Sequence, residues 1–188
     1  MSVPTFCRNL PLLSVVSAVL ALLFGIAWSC SVGAASDGGD SAKLPIPRFV
    51  SLKSDRVNVR SGPTKDHQVT WVYTRTGLPV EITAEFENWR RIRDWEGAEG
   101  WVYHSLLSGR RTGLITPSFK SSDKNADDPI PIHASADADS AVVARLQPGV
   151  LGAVKRCNGT WCHMAGAGYD GWVAQNRLWG VYPNEKVE

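Results

Sequence analysis

The chain has 188 residues, 44% hydrophobic and 20% charged, with a formal net charge of +2. That composition excludes a wholly disordered chain, and the small net charge offers no bulk attraction for nucleic acid. There are 8 tryptophans, and all but Trp28 follow the N-terminal segment; small domains lean on such aromatics because each buries a large area.

The N-terminus reads as a targeting segment. Arg8 is the only charge before Asp37, residues 10–28 are almost wholly apolar, and residues 29–36 are small. That order predicts a signal peptide over residues 1–35, cut to release Ala35 or Ser36. An uncleaved membrane anchor is the alternative, because the apolar run approaches spanning length. Lipidation at Cys30 is a third reading, against which stands the bulk of Trp28 where a lipobox needs small residues. Beyond the signal only Cys157 and Cys162 remain, and an even pair in an exported chain reads as a disulfide. The expected location is therefore periplasmic or secreted, with membrane contact only through an uncleaved signal segment.

Residues 36–46 are small and polar and read as a linker. Short β-rich runs separated by Gly, Pro, Asn and Asp follow, with no convincing run at helical spacing. Val57-Asn58-Val59-Arg60 alternates and ends in the turn Ser61-Gly62-Pro63. Residues 69–73 and 80–86 are further strands. Trp89 to Arg93 and Gly100-Trp101-Val102 flank a hairpin at Glu96-Gly97, and Leu106-Leu107 closes the unit.

The second half replays that order. Ile130 to His133, residues 141–146 and 150–156 lead to a hairpin turn at Asn158-Gly159. Trp161 to Met164, a glycine-rich turn, Gly171-Trp172-Val173 and Leu178 follow. Val59 to Trp89 spans 30 positions (89 − 59) and Ile132 to Trp161 spans 29 (161 − 132). Trp89 to Trp101 is 12 and Trp161 to Trp172 is 11. Two preserved spacings establish an internal repeat.

The expected domains are one over 47–111 and a divergent one over 129–183, joined by a polar linker at 112–128. Each unit is near the lower limit for a domain folding alone, and its short strands must curl into a small, partly open barrel. The fold class is thus all-β, two small barrels in tandem. The linker carries few apolar residues, so the barrels are expected to fold independently.

No catalytic constellation stands out: there is no H-E-x-x-H, G-x-S-x-G or P-loop. Gly166 to Gly171 matches G-x-G-x-x-G, but it runs into a strand rather than a helix and reads as a hairpin turn. Cys157, Cys162, His163 and His133 make a poor metal set, because C-x₄-C is loose for zinc. Neighbouring strand residues point to opposite faces, so His163 is badly placed to serve Cys162 as a base. The expectation is no enzyme, no cofactor and no metal.

The motifs resemble the bacterial SH3 (SH3b) domain family. Its opening pattern, close to L-N-V-R-S-G-P, is met by Val57 to Pro63, and its later Trp and Gly-Trp-Val by Trp89 and Gly100-Trp101-Val102. The second copy keeps Trp161 and Gly171-Trp172-Val173 but departs at its start, where Ile130 to Ser135 replaces the opening motif. The resemblance implies SH3-like barrels in the cell envelope, binding a cell-wall peptide, another wall component or an envelope protein. The alternative function is a protein–protein adaptor or a regulator of a wall enzyme.

A barrel this small has no interior cavity, so a ligand must lie in a surface groove. Aromatics stack on flat ligand faces and arginines pair with carboxylates. The expected binding face is on the first barrel: Trp71, Tyr73, Trp95 and Tyr103, with Arg90, Arg91 and Arg93 alongside. Trp95 is expected at an exposed hairpin tip, and Trp101 and Trp172 in the core. Residues 47–111 carry 11 Lys+Arg and 8 Asp+Glu (11 − 8 = +3), and residues 112–188 carry 7 and 8 (7 − 8 = −1). The second copy is therefore expected to bind weakly, or to bind something else.

Overall fold

The computed structural model describes residues 44–117 and 128–188. The expected signal peptide, Cys7, Cys30 and most of the linker at 36–46 lie outside the described residues. So does the segment 118–127.

The first barrel is a sheet of β1 (Arg48–Leu52), β2 (Val57–Arg60), β3 (Val69–Tyr73), β4 (Pro79–Phe86), β5 (Trp89–Arg93), β6 (Glu99–Tyr103) and β7 (Leu107–Ser108). Its strand order is β3-β2-β6-β5-β4-β1-β7. The second comprises β8 (Thr112–Ile115), β9 (Ile130–His133), β10 (Val142–Leu146), β11 (Leu151–Asn158), β12 (Trp161–Gly166), β13 (Tyr169–Ala174) and β14 (Leu178–Trp179). Its order, β10-β9-β13-β12-β11-β8-β14, repeats the first position for position, and β15 (Lys186–Val187) adds to β11. A single 3-10 turn closes each unit, at His104–Leu106 and Gln175–Arg177. Both units are all-β, SH3-like barrels, as expected.

Period-two alternation builds each core. Val57, Val59, Val80, Ile82, Ile92 and Val102 fill the first barrel, and Ile130, Ile132, Met164 and Val173 the second. The strand neighbours of Val102 and Val173 point outward, so Trp101 and Trp172 are half-buried on the outer face rather than in the core. Gly100 is what the core requires on the inward side, since a Cβ there would sit 2.3 Å from Val59 Cγ1. The glycine-rich motif is a hairpin turn at Ala167-Gly168, with Gly168 at φ +81°.

The linker expected over 112–128 is corrected by β8. Thr112–Ile115 is buried along its whole length and is hydrogen-bonded between β11 and β14. It stands where β1 stands in the first barrel, so the second repeat begins at Thr112. The sequence Thr-Gly-Leu-Ile is too short, and too polar at its start, to announce a strand.

The barrels are also not separate. Residues 42–188 form one compact unit, and the contact comes from outside the expected linker. On the outer face of β1 and β4, Phe49 pairs with Glu81 in register. Trp179 packs edge-on against Phe49 at 5.0 Å, and Tyr182 packs at 4.7 Å. Trp179 Nε1 donates to Pro79 O at 3.0 Å, and Tyr182 Oη donates to Glu81 Oε1 at 2.9 Å. Gly180, at φ +114°, lets this segment pass Thr112 O, which a Cβ would meet at 2.2 Å. Arg111 secures the strap from the other side through Glu185 and Gly180 O.

Candidate functional site

The expected binding residues lie in different surroundings. Trp71 and Tyr73 share a strand face, but it is the inward one: they lie opposite Val59 and Val57 and pack against the edge of the core. Their rings meet edge-on at 6.1 Å. Tyr73 Oη donates to Asp94 Oδ2 at 2.8 Å. Burial, reinforced by that hydrogen bond and the carboxylate charge, pushes the Tyr73 phenol well above its ordinary value. Asp94 also accepts from Glu96 N and Ala98 N, and so shapes the β5–β6 turn.

Trp95 is half-buried rather than free at a hairpin tip. With Arg75 and Leu78 of the first barrel and Leu114, Pro117 and Pro148 of the second, it lines a depression of about 260 Å³. Trp95, on the β5–β6 turn, shares this depression with residues of the neighbouring barrel, which no local pattern reveals.

The three arginines are committed to carboxylates. Arg90 Nε lies 3.0 Å from Glu85. Arg91 pairs with Glu99. Arg93 grips Glu81, which is 2% exposed, through Nε at 2.9 Å and its terminal nitrogen at 2.5 Å. Their charge is largely satisfied within the sheet.

Tyr103 has a different role. It lies edge-on against Trp89, with centroids 5.4 Å apart, and leaves Trp89 only 8% exposed. Strand register places Trp89 opposite Tyr103 and, in the second barrel, Trp161 opposite Ala174. Where the first barrel covers its indole with a tyrosine, the second has a methyl group. Trp161 is half-buried, meets the His133 ring at 5.3 Å, and borders two depressions of about 450 and 300 Å³.

The 3-10 turns supply a second difference. Leu106 of the first barrel packs against the core, and Arg177 stands at the matching place and lines the larger depression. Gln175, 5% exposed, borders the smaller one. Its Nε2 donates to Tyr182 O and Glu185 O, and its Oε1 has no partner among the described residues. Ala174, Gln175 and Arg177 escaped the sequence reading. Aligning the copies on their hairpins, rather than weighing aromatics and charge by domain, exposes the Tyr103/Ala174 and Leu106/Arg177 differences.

Cys157 and Cys162 are joined by a disulfide with Cα atoms 4.1 Å apart, as expected, and are thereby removed from any ligand or nucleophile set. His163 points to the opposite face and pairs with Asp170 at 2.6 Å. No helix among the described residues is long and apolar enough to cross a membrane.

A family model described as "Bacterial SH3 domain" matches residues 53–109 and 126–180. The protein of Bacillus subtilis (strain 168) named "Putative N-acetylmuramoyl-L-alanine amidase YrvJ" is 25% identical over 130 residues, 65% of this chain and 25% of the relative. The chain thus spans a quarter of that relative. Among solved structures, NlpC1 from Trichomonas vaginalis aligns with a TM-score of 0.32 and 11% identity, covering 73% of this chain and 47% of the other. NlpC2 from the same organism aligns at 0.30 and 10%, covering 72% and 49%.

Proposed function

The chain belongs to the bacterial SH3 domain family, and on that premise we propose that it is an exported, non-catalytic binding protein of the cell wall. Its ligand on this reading is a peptidoglycan peptide or another wall component. The observation that carries the reading is the open aromatic groove around Trp161 on an SH3-like scaffold. The relative named as an N-acetylmuramoyl-L-alanine amidase supports it, since this chain matches a quarter of that protein. Export is supported by the Cys157–Cys162 disulfide, a bond that persists in oxidising compartments.

Co-sedimentation of the full chain with purified peptidoglycan sacculi tests the reading. Recovery in the pellet, and release by soluble muropeptides, is the expected result. A protein left wholly in the supernatant overturns it.

A second reading, an envelope adaptor or a regulator of a wall enzyme, is favoured by β10. This strand ends the described sheet and shows Val142 and Val143 to solvent at 45% and 52%, a surface suited to addition of a partner strand. Cross-linking in the envelope that captures one protein partner through β10, without sacculus binding, selects it.

A further inference from the structure

We propose that the ligand-holding barrel is the second, and that it takes a short wall-derived peptide whose free carboxylate is bound by Arg177 beside the indole of Trp161. The inference rests on the wall-binding reading for the source of the peptide; the site itself rests on geometry. Among the differences between two barrels of identical strand order, two at matched positions fall on one groove. Ala174 in place of Tyr103 uncovers the tryptophan, and Arg177 in place of Leu106 gives the groove a cation.

The cation is unspent. Among the described residues the Arg177 guanidinium makes no hydrogen bond or ion pair, and its Nε is buried without a partner. Arg48 and Arg111 also bury an Nε, but their terminal nitrogens are committed to Glu85 and Glu185. Buried donors are normally satisfied, so the unpartnered Nε, on a guanidinium that lines the depression, points to an acceptor there. A carboxylate fits best, because it matches the guanidinium fork.

Gln175 adds a second requirement. Its buried Oε1 lacks a donor beside the smaller depression, on the other side of Trp161. A peptide brings both a carboxylate and amide N–H groups, and its side chains and backbone lie flat on an indole. A neutral glycan brings no carboxylate, and an acyl chain brings neither group.

The test titrates the full chain and follows the indole N–H signal of Trp161, assigned with Trp161→Phe. The probes are muropeptides from digested sacculi, the same muropeptides with carboxyls amidated, trialanine and trialanine amide. Free carboxylates are expected to move the Trp161 signal, and amidation to weaken binding roughly tenfold or more. Arg177→Leu and Ala174→Tyr install what the first barrel carries and are expected to weaken binding as much while spectra stay dispersed. The double substitution Tyr103→Ala with Leu106→Arg is expected to raise the stoichiometry from one site to two.

Muropeptide binding unaffected by amidation, Arg177→Leu and Ala174→Tyr overturns the inference while the wall reading stands. Loss of binding only on substitution of Trp71 or Trp95 moves the site to the first barrel and also overturns it. A carboxylate-dependent response to trialanine with none to muropeptides keeps the groove and overturns its wall source.

Discussion

Cys157 faces Cys162 across the β11–β12 hairpin at the register position where the first barrel sets Glu85 opposite Arg90. The same cross-strand place is a covalent bond in one barrel and an ion pair in the other, with Arg48 as a second cation on Glu85. Reduction should therefore weaken the second barrel alone, by about 2 kcal/mol for so short a loop. Replacing Glu85 by Ala should cost the first barrel about 1 kcal/mol or less, because the pair is partly exposed. Thiol labelling of unreduced protein, expected to find no free cysteine at 157 or 162, and denaturant melts of each variant check both.

The position of β8 decides where the second barrel can be cut from the first. A fragment starting at residue 126 lacks the strand that lies between β11 and β14, and should give collapsed, poorly dispersed NMR spectra. A fragment starting at residue 110 restores those ladder bonds and should give dispersed ones.

Tyr182 ties the barrels through the buried Glu81 carboxylate. Tyr182→Phe should cost about 1–2 kcal/mol by removing a hydrogen bond to a charged group. Burial first, then the Glu81 hydrogen bond, raises the Tyr182 phenol above its ordinary value, as burial and Asp94 do for Tyr73. With folded values above the unfolded one, this stability is fully present below pH 10 and is lost as pH rises further. Melts from pH 8 upward should show the loss, and Tyr182→Phe should shrink it.

Glu185 gives the acid-side counterpart. Burial alone would raise its carboxyl, but hydrogen bonds from Arg111 and the Tyr182 N–H outweigh it and hold the group below its ordinary value. Its contribution is present above the usual carboxylate range and disappears as pH falls through the lowered value. Glu185→Gln should flatten the acid limb of the stability curve, read by urea melts between pH 6 and pH 3.

Asp94 accepts three hydrogen bonds while 8% exposed. Asp94→Ala leaves Tyr73 Oη and two turn N–H groups without their acceptor, and should cost about 2–3 kcal/mol. Asp94→Asn should recover part of it, since the amide oxygen still serves the turn.

The repeat was legible because its markers are local: Trp89 and Gly100-Trp101-Val102, then Trp161 and Gly171-Trp172-Val173, at matched spacing. The disulfide was legible because a four-residue turn forces its flanking residues to face each other. What stayed hidden depends on partners distant in sequence. Trp101 and Val102 are adjacent apolar residues, and only the pleat decides which one enters the core. Trp95 looks exposed until Leu114 and Pro148 are brought beside it. The arginines look available until Glu81, Glu85 and Glu99 arrive from other strands.

The strap from Trp179 to Glu185 does two jobs with one piece of chain. Its aromatic rings clasp Phe49 of the first barrel, and the carbonyls of Tyr182 and Glu185 hold the amide of Gln175 at the groove of the second. A pull that separates the barrels is therefore borne by the backbone that props the groove. The Gln175 amide and the contact between the barrels thus depend on the same seven residues of backbone.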